Sequence, residues 1–396
     1  TTIAGYLLDG ADGRTLAVES RMNPQAQYGA DVIMRANYAL EHGTEALSMC
    51  VRKAVNEMLG SLAEDAGIRR EDVFQVCVVG NTCMHHLFLG ISPASLVHAP
   101  YTPAVSERLV LNAGDYGLAV QERAELIMLS DIAGYVGADT CGCLLAIRQD
   151  QQEEISLMID IGTNGEMVLG NRERMVTCST AAGPAFEGAK IECGMRGAAG
   201  AVDHVKYEDG KWNYTTVGNK PAVGLCGSGL IDLVAGLLDA GMLDENGVLR
   251  SGQEKQSVFI LVPPERGGNE RGVYLTQKDL GEVQLAKAAI AAGIQMLMEQ
   301  LGITEDDICS VYIAGAFGNY MDPVSAGKIG LLPATLVKKV MPVGMLLVRV
   351  AKIALVNEKE MLEMDELVRK IEFVELAASA DFQDHFIDEL GFETGE

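Results

Sequence analysis

Aromatic side chains are scarce in this chain, with one tryptophan, 11 tyrosines and 9 phenylalanines among 396 residues. Apolar residues still make up 48%, so the core must come from Ala, Val, Ile, Leu and Met, the packing style of α/β proteins. Proline is also sparse, 11 residues beside 44 glycines, which argues against Pro-rich linkers and for tight loops. Cations are outnumbered, 31 Lys and Arg against 55 Asp and Glu, for a formal net charge of -24. That field repels phosphate backbones and anionic lipid headgroups, which disfavours nucleic acid and membrane as partners. An anion such as a nucleotide would need backbone amides, helix N-termini and a metal ion to hold it locally. No apolar run reaches membrane-spanning length and no signal peptide is recognisable, so a cytoplasmic protein is expected. Nine cysteines include no CxxC pair, the pattern of reduced thiols in a cytoplasm. Cys141 and Cys143 form the one close pair, and two ligands make neither a zinc nor an iron–sulfur site.

The length exceeds what a single hydrophobic core usually supports, which predicts two lobes. The opening Thr1 to Leu8, a turn at Asp9 to Gly13, and Thr15 to Ser20 predict a β-hairpin. The start at Thr1, directly in a strand-like run, suggests further chain upstream. A long helix is expected over residues 30–63, where Leu47, Val51, Val55 and Leu59 recur at helical spacing, followed by a buried strand at Val76 to Gly80. The first lobe is placed at 1–130, its first strand cut short at the N-terminus, and the second at 131–396 with an acidic C-terminal tail. In the second, Asp131 to Arg148 suits a linking helix. Ile155 to Ile161, Glu166 to Gly170 and Met175 to Ser179 form a meander, and Val311 to Gly315 is a strand ending in glycine. The shared order of hairpin or meander, helices, and a glycine-ended strand predicts a duplicated α/β unit with a cleft between copies. Residues 203–222 and 244–275 look like turn-rich excursions. The tail from Glu358 reads as a solvated helical face, with Phe373, Leu376, Phe382, Phe386 and Leu390 available to dock it.

Chemistry concentrates in Met158-Ile-Asp-Ile-Gly-Thr-Asn-Gly-Glu166. Asp160 ends an apolar strand and can hold hydrated Mg²⁺. Gly162 and Gly165 let backbone amides approach an oxyanion without Cβ interference, and Thr163 and Asn164 add donors. A plain tight hairpin with an exposed aspartate is the simpler alternative. Three more glycine clusters follow, around Gly183, at Gly227-Ser228-Gly229, and at Gly315-Ala316-Phe317-Gly318. Ser228 is a good N-cap for a helix whose N-terminus would attract an anion. Each cluster alone is compatible with loop and cap geometry only. Adjacent His85 and His86 point different ways, and no third ligand accompanies them. Lys287 could reach a nucleotide from its helix, although a surface position is expected. Glu166 and Glu187 could position water, with a helix surface the default for Glu187, and Arg196 could meet a phosphate or a carboxylate.

This succession, joined by Cys178-Ser-Thr-Ala-Ala-Gly-Pro-Ala-Phe-Glu-Gly-Ala189, Gly224-Leu-Cys-Gly-Ser-Gly-Leu-Ile-Asp-Leu233, Gly80-Asn81-Thr82 and Gly137-Ala138-Asp139-Thr140, resembles the reductive activators of corrinoid proteins. The resemblance implies a two-lobed actin-like ATPase fold, ribonuclease H-like, of the actin, sugar kinase and heat-shock chaperone superfamily. It implies ATP and Mg²⁺ as ligands, a corrinoid protein as partner, with a homodimer as a further option, and cobalt reduction from Co(II) to Co(I) in a methyltransferase system. It makes Asp160 to Glu166 the second phosphate loop, with Asp160 and Glu166 catalytic and Asp160 the metal ligand. Gly315 to Gly318 then belongs to the adenosine region. Of the first phosphate loop, Asp-x-Gly-Thr-Thr-Thr in the superfamily, only Thr1 and Thr2 are present. After Val343-Gly344 the family continues with Asn and small residues, whereas Met345, Leu346 and Leu347 stand here. No segment has the four-cysteine spacing of a ferredoxin, which puts the family's 2Fe-2S cluster on an upstream domain. Rival readings are a small-molecule kinase of the superfamily, an activator of another low-potential enzyme, and a nucleotide-sensing scaffold.

Overall fold

A computed structural model describes residues 2–251, 254–255, 257–315, 320–342, 355, 357–377 and 379–392. The chain forms two compact units, Thr1–Asp150 with Met345–Phe373, and Gln151–Gly344 with Val374–Glu396.

In the first unit β1 (Thr2–Leu8) and β2 (Thr15–Met22) form an antiparallel hairpin, from Thr2 opposite Met22 to Leu8 opposite Thr15. Two helices follow where one was expected, α1 (Val32–His42) and α2 (Glu45–Ala66). Gly43 separates them at φ 84°, a left-handed conformation that ends a helix and that glycine adopts without a Cβ penalty. The second sheet has the order β3 (Gln75–Val78), β5 (Glu125–Met128), β4 (Leu109–Asn112), with β3 parallel and β4 antiparallel to β5. Helix α3 (Thr82–Leu89) follows β3, and its Leu87 and Phe88 enter two small apolar clusters. Of the helix expected from Asp131 to Arg148, only α4 (Ala138–Ile147) forms. Asp131 lies ahead of it because its carboxylate accepts from Ala138 N at 3.0 Å and meets His85 Nδ1 at 3.0 Å.

The acidic tail is not a plain solvated face. Helix α7 (Glu358–Lys370) belongs to the first unit. There Arg148 binds Glu360 and, at 2.9 Å, Glu363. Arg108 Nε meets Asp365 at 2.9 Å, and Met364 and Leu367 are buried.

In the second unit β6 (Ile155–Ile161), β7 (Gly165–Gly170) and β8 (Met175–Thr180) make the expected antiparallel meander. The supposed excursions contain paired strands, β9 (Ala201–Glu208) with β10 (Lys211–Thr216) and β11 (Gly224–Leu225), and β12 (Val258–Val262) with β13 (Val273–Thr276). Two further strands, β14 (Ile308–Ala314) and β15 (Val340–Pro342), complete the main sheet, whose members in this unit run β8-β7-β6-β14-β15. Strand β14 is parallel to both β6 and β15. Being central, β6 is covered on both faces, and Leu157, Met158 and Ile159 are fully buried, which explains its unbroken apolar run. Helix α5 (Gly227–Asp239) packs on β9, and α6 (Gln277–Leu301) packs on β7 and β8. Thr276 and Asp279 start α6 with a capping box. The last helix, α8 (Ala380–Asp388), docks on α6 through Phe382 and Phe386 at the edge of the core.

Candidate functional site

Directly opposite positions of neighbouring strands carry side chains on the same face of a sheet. Ser179 on β8 faces Glu166 on β7, Glu166 faces Asp160 on β6, and Asp160 faces Ala314 on β14. A polar row thus crosses the meander and ends at a small residue. Ser179 Oγ donates to Glu166 Oε1 at 3.3 Å. The residue after Ala314 is Gly315, with φ 84°, and a Cβ built there would lie 2.8 Å from Asp160 Oδ1. The Asp160 carboxylate therefore fills the space that any other residue at 315 would need.

Between Asp160 and Glu166 the chain reverses in a tight turn, in which Gly162 N donates to Asn164 O at 2.9 Å. Thr163 Oγ1 donates to Glu187 Oε2 at 2.9 Å. Glu187 belongs to a turn after Gly183 and not to a helix, so it braces the β6–β7 turn from outside. Gly165 has a packing reason to be glycine, since a Cβ would sit 2.9 Å from Thr180 Oγ1 and 3.1 Å from Ile290 Cγ1. Gly183 takes φ 77°, as a left-handed turn residue.

At the start of α5 the N-cap is Cys226 and not Ser228. Ser228 is buried inside the first turn, and its hydroxyl donates to Asp203 O at 2.8 Å, tying the helix to β9. Gly229 lies against β9 so closely that a Cβ would be 2.2 Å from Val202 O. Close packing thus accounts for Gly229, and Gly227 opens the helix.

Lys287 departs from its expected surface position. It is 2% exposed, its ammonium donates to Gly391 O, and it lies 5.4 Å from the centroid of Phe392. The C-terminal segment, brought in by α8, covers it. Thr2 is exposed at the beginning of β1. Thr1, Ala316, Phe317, Gly318 and the Met345 to Leu347 stretch lie outside the described residues.

Two acid–histidine pairs, the first wholly buried and the second with only its acid buried, were not singled out from sequence. His85 Nδ1 and Asp131 Oδ2 are 3.0 Å apart, both side chains buried, with Asp139 nearby. Burial pushes the Asp139 carboxyl above its usual range. His204 Nδ1 lies 3.0 Å from Asp232 Oδ2, and burial raises that carboxyl too. The visible sign was an acid inside an apolar helix face, Gly229-Leu-Ile-Asp-Leu233, an arrangement that calls for a partner. Among the described residues no group of three or more His, Cys, Asp or Glu is arranged to hold a metal ion. No helix there is long and apolar enough to cross a membrane.

An antiparallel meander whose first strand is extended by parallel strands fits the actin-like fold class, and residues 154–396 match the family described as the C-terminal domain of RACo, the ASKHA domain. Residues 1–152 match the RACo middle region. The chain belongs to the RACo family. It is 36% identical over 351 residues to the corrinoid activation enzyme RamQ of Eubacterium limosum, covering 84% of this chain and 59% of that protein. It is 26% identical over 399 residues to a Methanosarcina barkeri protein called [Co(II) methylated amine-specific corrinoid protein] reductase, covering 92% of this chain and 71% of that one. A solved structure, "Reductive activator for corrinoid,iron-sulfur protein", matches with a TM-score of 0.89 and 37% identity over 99% of this chain and 64% of that chain. The chain therefore spans less than two thirds of RamQ and of the solved activator.

Proposed function

We propose that this chain is the nucleotide-binding part of a cytoplasmic enzyme that reduces a corrinoid protein from Co(II) to Co(I), with ATP hydrolysis driving the step. Three supports converge on it: membership of the RACo family, the activities in the relatives' names, and the Asp160–Gly315 contact. The contact carries the reading, because it leaves a strand-end carboxylate beside a residue with no side chain. A hard cation takes oxygen ligands, and Mg²⁺ is commonly held by one or two carboxylates together with phosphates and water. Asp160 fits that role. When bound, Mg²⁺ would supply charge compensation for the phosphate oxygens.

The chain's own residues position the rest. Backbone amides of the turn at 163–164 would meet phosphate oxygens, while the Thr163 hydroxyl donates to Glu187 and so braces the turn. Glu166, held by Ser179, would orient the attacking water. The start of α5 offers further backbone amides. Coupling to reduction requires that the nucleotide states differ in affinity for the corrinoid partner, since a ligand that binds both conformations equally shifts nothing. In this reading the 2Fe-2S electron carrier lies outside residues 1–396, a chain that spans 59% of RamQ and 64% of the solved activator.

The test is calorimetry of the chain with ATP, with and without Mg²⁺. Binding that needs Mg²⁺ and weakens at least tenfold in Asp160→Asn is expected. Equal binding by Asp160→Asn and the parent would overturn the site. Phosphoryl transfer to a small sugar or acid, in place of partner-stimulated hydrolysis, would turn the reading to a kinase.

A further inference from the structure

Helix α2 packs on β1 and β2, and residues on another face of it, Met49, Lys53 and Glu57, are exposed. An open groove of about 550 Å³ runs there, lined by Met49, Arg52 and Lys53 of α2, by the turn at Asp115 to Gly117, and by Arg70. Asn56 ties helix and turn together, donating to Gly117 O at 2.6 Å and accepting from Ala119 N at 2.7 Å.

The groove is basic in a strongly acidic chain. Other arginines of the chain pair with carboxylates, as Arg21, Arg108, Arg148 and Arg250 do. Arg52 and Arg70 form no ion pair among the described residues, yet both are held in place. Arg52 Nε donates to Phe88 O at 2.8 Å, and its guanidinium lies 5.0 Å from the ring centroid of Tyr116 and 5.8 Å from that of Phe88. Such contacts fix a cation without neutralising it. Arg70 lies on the backbone of α2 at Gly60, where any Cβ would overlap its Nη2. Glu57 and Asp115 also line the groove, but Glu57 is engaged by Arg21 at 2.8 Å and by Lys53 at 4.0 Å.

Spacing distinguishes a chain from a small anion. A Cβ at Gly90 would lie 3.6 Å from Arg52 Nη2 and 3.5 Å from Ser48 Oγ, which places that guanidinium at the level of Ser48. Helix α2 rises about 18 Å from Ser48 to Gly60, so the two guanidiniums are too far apart to share one phosphate. An extended chain covers that span in about six residues, and its side chains an even number of positions apart share a face. Two carboxylates on one face can thus meet two arginine forks, a strong charge-assisted pairing. Met49 and Tyr116 add residue types that protein interfaces favour.

We propose that this groove docks an acidic, extended segment of a partner protein, with Arg52 and Arg70 each taking a carboxylate and Lys53 adding charge. The net charge of -24 does not forbid it. At physiological ionic strength, exposed charges beyond about 8 Å are screened, and the groove's own cations act at contact. This surface is separate from the reading of Asp160.

Fluorescence anisotropy of a labelled decaglutamate peptide with the intact protein, at physiological ionic strength, tests the proposal. Saturable binding is expected, weakened about tenfold or more by Arg70→Glu and by Lys53→Glu as a charge-assisted contact is lost. Arg271→Glu, at an exposed position of the second unit, is expected to change nothing. The Lys53 side chain is 78% exposed, so its reversal leaves the fold intact even where Arg70→Glu does not. A photoreactive group on the peptide should crosslink to α2 or to the turn at 113–117. Absence of saturable binding, equal binding by all variants, or crosslinks elsewhere would overturn the proposal. Displacement of the peptide by inorganic phosphate at equal charge would reassign the groove to a small anion and overturn it too. Self-association that Lys53→Glu abolishes, without peptide binding, would give the groove to a second copy and have the same effect.

Discussion

A Cβ at Gly315 would come within 2.8 Å of Asp160 Oδ1, although Asp160 lies in β6 and Gly315 just past the end of β14, far apart in the chain. The backbone at 315 also has φ 84°. Gly315→Ala is therefore doubly disfavoured, by contact with the carboxylate and by left-handed strain of about 1–3 kcal/mol. It is expected to lower thermal stability and to weaken Mg²⁺-dependent ATP binding about tenfold or more, read by calorimetry beside differential scanning. A Gly315→Ala protein with the parent's stability and affinity would show that the contact decides nothing.

Neighbouring positions at the start of α5 separate a hydrogen bond from a close approach. Ser228→Ala removes the donor to Asp203 O and should cost about 1 kcal/mol. Gly229→Ala sets a methyl against the Val202 carbonyl, which is backbone and cannot rotate away. It should destabilise by more, on the order of 2–3 kcal/mol. Urea denaturation of both variants gives the ranking, and a milder effect of Gly229→Ala would contradict the observed helix–strand distance.

Lys287 gives a test of the C-terminal segment. A surface lysine tolerates substitution within about 0.5 kcal/mol. Here Lys287→Met replaces a buried ammonium that donates to Gly391 O, and a bond to a charged group contributes about 1.5–3 kcal/mol. Lower stability and faster proteolysis around α8 are expected in Lys287→Met. A neutral variant with an equally protected C-terminus would remove the contact's importance.

His85 makes stability depend on pH. Burial opposes charge on its ring, but the Asp131 carboxylate and its hydrogen bond, Asp139 and a Val78 backbone hydrogen bond together raise His85 above its usual value, and His86 faces the same pair. A histidine whose folded value is raised contributes stability fully present below about pH 6.5, its unfolded value, and lost as pH rises through the folded value. The stability difference between the parent and His85→Gln should be largest near pH 6 and shrink towards pH 9 in urea denaturation. A difference independent of pH would mean that the ring does not titrate in this range.

Local pattern carried much of the fold and part of the candidate site. The meander from Ile155 to Thr180, the opening hairpin and the glycine-ended strand at Ile308–Ala314 follow from apolar runs punctuated by turn residues. These depend on neighbours in sequence, so they are readable there. The motif succession likewise resembles the corrinoid activators, and the family matches agree with it. Asp160 stood out because a carboxylate breaks an otherwise apolar strand.

Other features needed the folded chain. The gap at Gly43 lay inside a stretch whose periodicity runs on across it, and a backbone angle ended the helix. Ser228 had the composition of a cap, but the Asp203 carbonyl of a neighbouring strand took its hydroxyl. Lys287 and the acidic tail read as solvent-facing because long charged side chains usually are. Only tertiary structure supplied Gly391 to the lysine and Arg108 and Arg148 to the acids. Short-range order encodes the meander, the opening hairpin, their turns and the family motifs, whereas the strands within 201–276 show only in their pairing. Which glycine touches which carboxylate was decided by pairing between distant segments, which no local pattern encodes.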